Sequence, residues 1–112
     1  MARKLSKYQK IVCDYLADYA QNRNRKTTTY QFLADSKRHH YQVLRMQWDK
    51  NVFYCTIIFH FELAETGKLW IWVNNTDILI AEELVNLGIP KEDIVLGFHS
   101  PEIRTHTGYA VA

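Results

Sequence analysis

The chain has 112 residues, with 47% hydrophobic and 13% aromatic side chains. That is ample for one core, excludes a disordered chain and leaves little room for a second domain. A net charge of +2 excludes a strongly basic or acidic protein, although residues 1–26 alone carry seven basic and two acidic side chains. No apolar run of the length of a membrane span and no secretion-type leader is visible, so a single domain over residues 1–112 in the cytoplasm is expected. Cys13 and Cys55 lack a CxxC neighbour and read as buried, reduced thiols.

In chain order, Leu5, Tyr8, Ile11, Val12, Tyr15, Leu16 and Tyr19 recur at steps of three and four. This spacing predicts an amphipathic helix from about Ser6 to Gln21, with Lys7, Lys10, Asp14 and Asp18 on its wet side. "NRNRK" ends it. "TTTYQFLA" and "HYQVLRMQW" then alternate as strands. "VFYCTIIFHFEL" is the strongest strand. Phe53, Cys55, Ile57, Phe59 and Phe61 form one apolar row, and Tyr54, Thr56, Ile58, His60 and Glu62 a mixed one. The Gly-containing turn "AETGK" leads into "LWIWV", with Trp70 and Trp72 on one side. Thr76 is a candidate N-cap for a second helix carrying Ile78, Ile80, Ala81, Leu84, Val85 and Leu87, which Gly88 closes and Pro90 prevents from continuing. "KEDIVLGF" reads as a turn and a short extended piece.

The predicted fold is α+β: an N-terminal helix, a four-stranded antiparallel meander, a second helix and an extended C-terminal tail. Two helices can cover one sheet face. Tyr54, Ile58, His60, Trp70 and Trp72 would then line the other, an apolar patch of the kind that marks an interface. The end of the chain, Gly108 to Ala112, has no charged side chain, unlike a frayed terminus. It is expected to dock on its own sheet or on another subunit, with His99 and Arg104 fixing its register.

The chemical search is negative. There is no P-loop, no dinucleotide fingerprint, no HExxH and no GxSxG. His39, His40, His60, His99 and His106 have no zinc-ligand spacing, and adjacent His39 and His40 would point to opposite faces of a strand. Asp35-Ser36-Lys37 reads as a turn, and Cys55 as core. The chain is expected to be non-enzymatic, with no metal and no cofactor. A rival reading is nucleic-acid binding, through Lys4, Lys7, Lys10, Arg23, Arg25 and Lys26 or through aromatic stacking on Tyr54, Trp70 and Trp72 beside Lys68 or Arg45.

One stretch carries a resemblance. Thr76, Ile80-Ala81, Glu83-Leu84, Gly88-Ile89-Pro90-Lys91, Asp93 to His99, Pro101, Arg104 and Ala110-Val111-Ala112, with "HHYQVL", Trp48 and "KLWIWVNNT" before them, resemble XisI-like proteins. These are the excision controlling factors of the cyanobacterial fdxN element. The resemblance runs from about Leu33 onward. Ser100 departs from a frequent second proline, Gly108 from a frequent acid and His39 from a common acid. The resemblance implies a small α+β protein in the control of developmental DNA excision, alongside a recombinase and an XisH-type protein partner. It also implies a self-associating fold and an indirect association with DNA. It points to Phe98, His99, Pro101, Arg104, Tyr109 and Val111 as interface residues.

Overall fold

A computed structural model describes residues 2–112. Helix α1 spans Ala2–Gln21, starting earlier than its apolar period. Four strands follow: β1 Thr28–Asp35, β2 His40–Asp49, β3 Val52–Leu63 and β4 Leu69–Asn74. They pair in order as an antiparallel meander. The expected four strands become five. Ile94–Leu96 forms β5, which adds parallel to β4, Leu69 facing Ile94 and Ile71 facing Leu96. A parallel neighbour needs a crossover, and helix α2, Ile80–Leu87, supplies it.

The turns follow the local chemistry. Asp35 Oδ1 accepts the backbone N–H groups of Lys37 and Arg38, making Asp35-Ser36-Lys37 the turn its composition suggests. Those bonds, chiefly the one from Arg38, hold the Asp35 carboxyl below its usual value. His39 lies in that turn at φ 60, not on a strand, and its Nδ1 lies 3.0 Å from the Tyr41 hydroxyl. Thr76 does not cap α2. Its hydroxyl accepts the Ile78 N–H and bonds Asn74, fixing the preceding turn, and Leu79 is the residue before the helix. Gly88 closes α2 at φ 119, and the Ile89 N–H reaches back to the Leu84 carbonyl.

Helix α1 lies on one face of the sheet. Tyr8, Val12, Leu16 and Tyr19 meet Tyr41, Val43, Phe59, Phe61, Leu69 and Ile71, and α2 adds Ile80 and Leu84. Fully burying an aliphatic or aromatic side chain of this size contributes about 1.5–3 kcal/mol. Tyr19 meets the Phe59 ring edge-on with centroids 5.0 Å apart. The core occupies one end of a molecule 45 Å long. From residue 44 to residue 57 no side chain is buried, so the β2–β3 hairpin projects past the core as an arm. Among the described residues no helix is long and apolar enough to cross a membrane.

Candidate functional site

The tail is not wholly extended. Ser100, whose hydroxyl accepts the Ile103 N–H, and Pro101 in the first turn start a one-turn helix, α3, Pro101–Arg104. The segment then folds back on its own sheet. The Ala110 N–H donates to the Ile94 carbonyl at 2.9 Å, and Ala110 bridges Val95 in parallel. Tyr109 packs half-buried against the core. Arg104 acts as the clasp: Nε donates to the His99 carbonyl at 3.0 Å and Nη1 to the Val111 carbonyl at 3.2 Å. Its guanidinium sits 5.1 Å from the ring centre of Trp70. Trp70 stacks on Trp72 with centroids 5.0 Å apart and planes 16° apart. Gly97 passes directly over Trp72, where a Cβ would meet the ring at 2.8 Å.

Thus His99, Arg104 and Tyr109 hold the tail inward. Phe98, Pro101, Ile103 and Val111 face out, with Leu79 of the loop before α2 also exposed. His99 packs its ring against Phe98. His106 is exposed.

The second face of the sheet differs from the sequence pattern. The β2–β3 register slips between Val43 and Leu44: Val43 faces Phe59, but Leu44 faces Ile57. The extra residue, Ile58, is a bulge, and a bulge exchanges the faces on either side of itself. Phe59, Phe61 and Leu63 therefore point to the helices, whereas Phe53, Cys55 and Ile57, alternating with them in sequence, point away. Ile58 is 1% exposed, so it belongs to the core rather than to an interface. Tyr54 sits on the helix side of the arm, beyond the helix, and is half exposed. Cys55 is exposed, and Cys13 is only part-buried, its thiol pushed up by burial and then by Asp14. The uncovered face reads Leu44, Met46 and Trp48 on β2 beside Phe53, Cys55 and Ile57 on β3, with no charge. Trp48 and Phe53 touch across the hairpin at 5.1 Å between ring centres. One signal for this lay in the lengths: a strand of 12 residues beside one of 6 must leave half of itself unpaired.

Nearer the core the same face carries a polar ladder. Gln42 Oε1 lies 2.9 Å from His60 Nδ1, and His60 Nε2 lies 3.0 Å from His40 Nδ1. His40 Nε2 is 3.9 Å from Glu62, which also accepts the Trp72 indole N–H at 2.9 Å. Burial and then the neighbouring His40 hold the His60 imidazole below its ordinary pKa, against the opposing pull of Glu62. Among the described residues no group of three His, Cys, Asp or Glu side chains could hold a metal ion.

The basic residues do not form one surface. Lys4 pairs with Asp93 at 2.9 Å, and Lys10 with Asp14 at 2.7 Å. Lys7 lies exposed beside Gly88, and Lys26 is exposed in the turn before β1. Arg23 stacks on Tyr19 at 3.7 Å and lines a recess with Arg25, Thr28, Tyr30, Arg45 and Gln47. Arg45 Nε is buried there without a hydrogen-bond partner. Arg45 was visible in sequence only as a neighbour of the aromatic face; the pairing of Tyr30 with Arg45 brings it to the α1 loop instead.

Among curated proteins none matches this chain. Solved structures do. One, described as a XisI-like protein from Anabaena variabilis ATCC 29413, is 38% identical over 96% of this chain and 99% of that one, with a TM-score of 0.89. Another, described as the fdxN element excision controlling factor XisI from the same organism, is 32% identical over 97% of this chain and 99% of its own, with a TM-score of 0.83. The family model of the XisI protein matches residues 1–111. With core, arm and folded-back tail all inside that span, the chain belongs to the XisI family.

Proposed function

We propose that this chain is a non-enzymatic, cytoplasmic controlling factor of DNA excision that works through protein contacts, with itself and with an XisH-type companion. The name of the related fdxN element excision controlling factor supports the process. The observation that supports protein contact is surface chemistry: large apolar side chains stand exposed in two separate groups. Phe98, Ile103 and Val111 stand along the tail, with Leu79 lining one groove together with Phe98, and Trp48, Phe53 and Ile57 lie on the arm. Exposed apolar groups of this size mark association surfaces. The tail group fits the companion. Its polar members point inward and fix the backbone, so its outward members form a pre-organised apolar patch.

The test is a pull-down of tagged protein from its native extract at moderately high salt, with and without nuclease. A stoichiometric protein partner that survives nuclease and is lost on Phe98→Glu with Ile103→Glu is the expected result. Recovery of nucleic acid alone would overturn it.

One observation favours a second reading. In the Arg23, Arg25 and Arg45 recess a buried guanidinium nitrogen lacks a partner, and among the described residues no carboxylate pairs with any of the three. Phosphate oxygens would satisfy it. Duplex binding that weakens steeply with salt and is lost in Arg45→Gln would carry that reading. Lys4 and Lys10, already paired with carboxylates, play no part in it.

A further inference from the structure

We infer that two copies of this chain pair through the outer edge of β3, antiparallel across a two-fold axis centred on Tyr54. The inference rests on the self-association proposed above and adds its surface and register.

β4 pairs with β3 only from Phe59 onward, so Val52 to Ile58 has a strand neighbour on one side only. Asn75 closes the end of the gap, its backbone N–H donating to the Ile58 carbonyl and its Nδ2 to the Ile57 carbonyl at 2.7 Å. Which groups remain open follows from the hairpin. Asp49 faces Val52 across a two-residue turn, Lys50-Asn51, so this is a hydrogen-bonded pair and Val52 turns its N–H and C=O to β2. Alternation then turns those of Phe53 and Cys55 away from β2. The Trp48 N–H confirms the phase: it donates to Thr27, on the β1 side, so its cross-strand neighbour Phe53 also faces away. Both groups of Phe53 and of Cys55 are left open, together with the Ile57 N–H, whose own carbonyl Asn75 takes.

A second copy satisfies the four groups of Phe53 and Cys55. With Tyr54 opposite Tyr54, Phe53 of each copy lies opposite Cys55 of the other, and both residues exchange both bonds. A register centred on Cys55 would instead bring Phe53 against the Ile57 carbonyl that Asn75 occupies. At a two-fold axis the central side chain meets its own copy and its neighbours lie close to theirs, so a charge there would repel its counterpart. Val52 to Ile58 contains no charged residue, no proline and no glycine. Soluble proteins guard a bare strand edge with charges, proline or a bulge, or cover it; the bulge here, at Ile58, lies beyond the open stretch Phe53 to Cys55, which has no such guard.

The side chains match. Trp48, Phe53 and Tyr54 are 55%, 48% and 50% exposed. For aromatic side chains of ordinary size this leaves roughly 300 Å² per copy. Two copies, with Val52, Ile57 and the strand backbone added, approach the ~1,200 Å² at which stable interfaces begin.

The test uses purified full-length protein, without companion. Sedimentation or light scattering should give twice the 13.3 kDa chain mass. In a Cys13→Ser, Cys55→Ser background, Tyr54→Cys should form a disulfide-linked dimer on mild oxidation, because a non-hydrogen-bonded pair brings Cα atoms to about 4.5 Å. Thr56→Cys, which this register places opposite Val52, should not. Cys55→Pro removes an outward N–H and spares the β2 ladder, so it should leave a folded monomer by circular dichroism. A wild-type monomer overturns both the inference and self-association. A dimer that Tyr54→Cys does not lock, or that survives Cys55→Pro, overturns the edge alone and leaves self-association standing.

Discussion

Two residues show how closely the tail and sheet are fitted. Gly97 runs over the Trp72 ring with no room for a methyl group, and Trp72 cannot tilt away without breaking its stack on Trp70 and its bond to Glu62. Gly97→Ala should therefore cost about 1–3 kcal/mol by overpacking, read as a lower denaturant midpoint at unchanged slope. His60 sets a pH response. Its folded pKa lies below the ordinary 6.5, so between the two values the unfolded chain binds more protons. Stability from this site is full above about pH 6.5 and falls as the pH drops through the folded value. The facing groups are His40, Gln42 and Glu62. Melting curves from pH 7.5 down to 5.5 should shift to lower temperature, and His60→Gln should flatten that trend. A shift of the same size in His60→Gln would assign it elsewhere.

At the scale of elements, the tail behaves as a sixth edge segment clasped by Arg104. Deleting residues 108–112 removes the Ala110–Ile94 bond, the Arg104–Val111 bond and the packing of Tyr109. The loss should be about 2–4 kcal/mol, a fall in Tm on the order of 10 °C for a chain of this size. An unchanged melting curve would show that the clasp contributes nothing. The docking was legible in sequence from the missing charges between Gly108 and Ala112; α3 was not, because a single turn begun by Ser100-Pro101 leaves no apolar period to read. β5 was similarly hidden. Three residues are too few to alternate, and a parallel pairing leaves no hairpin signal.

For the molecule as a whole, periodicity located α1, four strands and α2, since each alternates or repeats long enough to be read, β3 included. It assigned the faces of β3 wrongly. A strand of 12 residues with a bulge obeys two phases, and an average over the whole strand merges them. Hence Tyr54 and Ile58 were placed on the open face, and Cys55 with the core, when a phase change after Ile57 reverses all three. The basic residues of the first 26 positions are divided by the fold. They are near in sequence, but ion pairs to Asp93 and Asp14 take two of them away from any shared ligand.

The bulge at Ile58 also gives the sheet a place to absorb a change of length. Deleting Ile58 would set Ile57 directly beside Phe59 and leave a plain alternating ladder, Val43 opposite Phe59 and Leu44 opposite Ile57. Phe53, Cys55 and Ile57 would keep the outer face, and Phe59, Phe61 and Leu63 the helix side. The same oily arm can therefore stand on the same core with or without that one position, and only the local bend and twist of the arm would change between relatives that differ there.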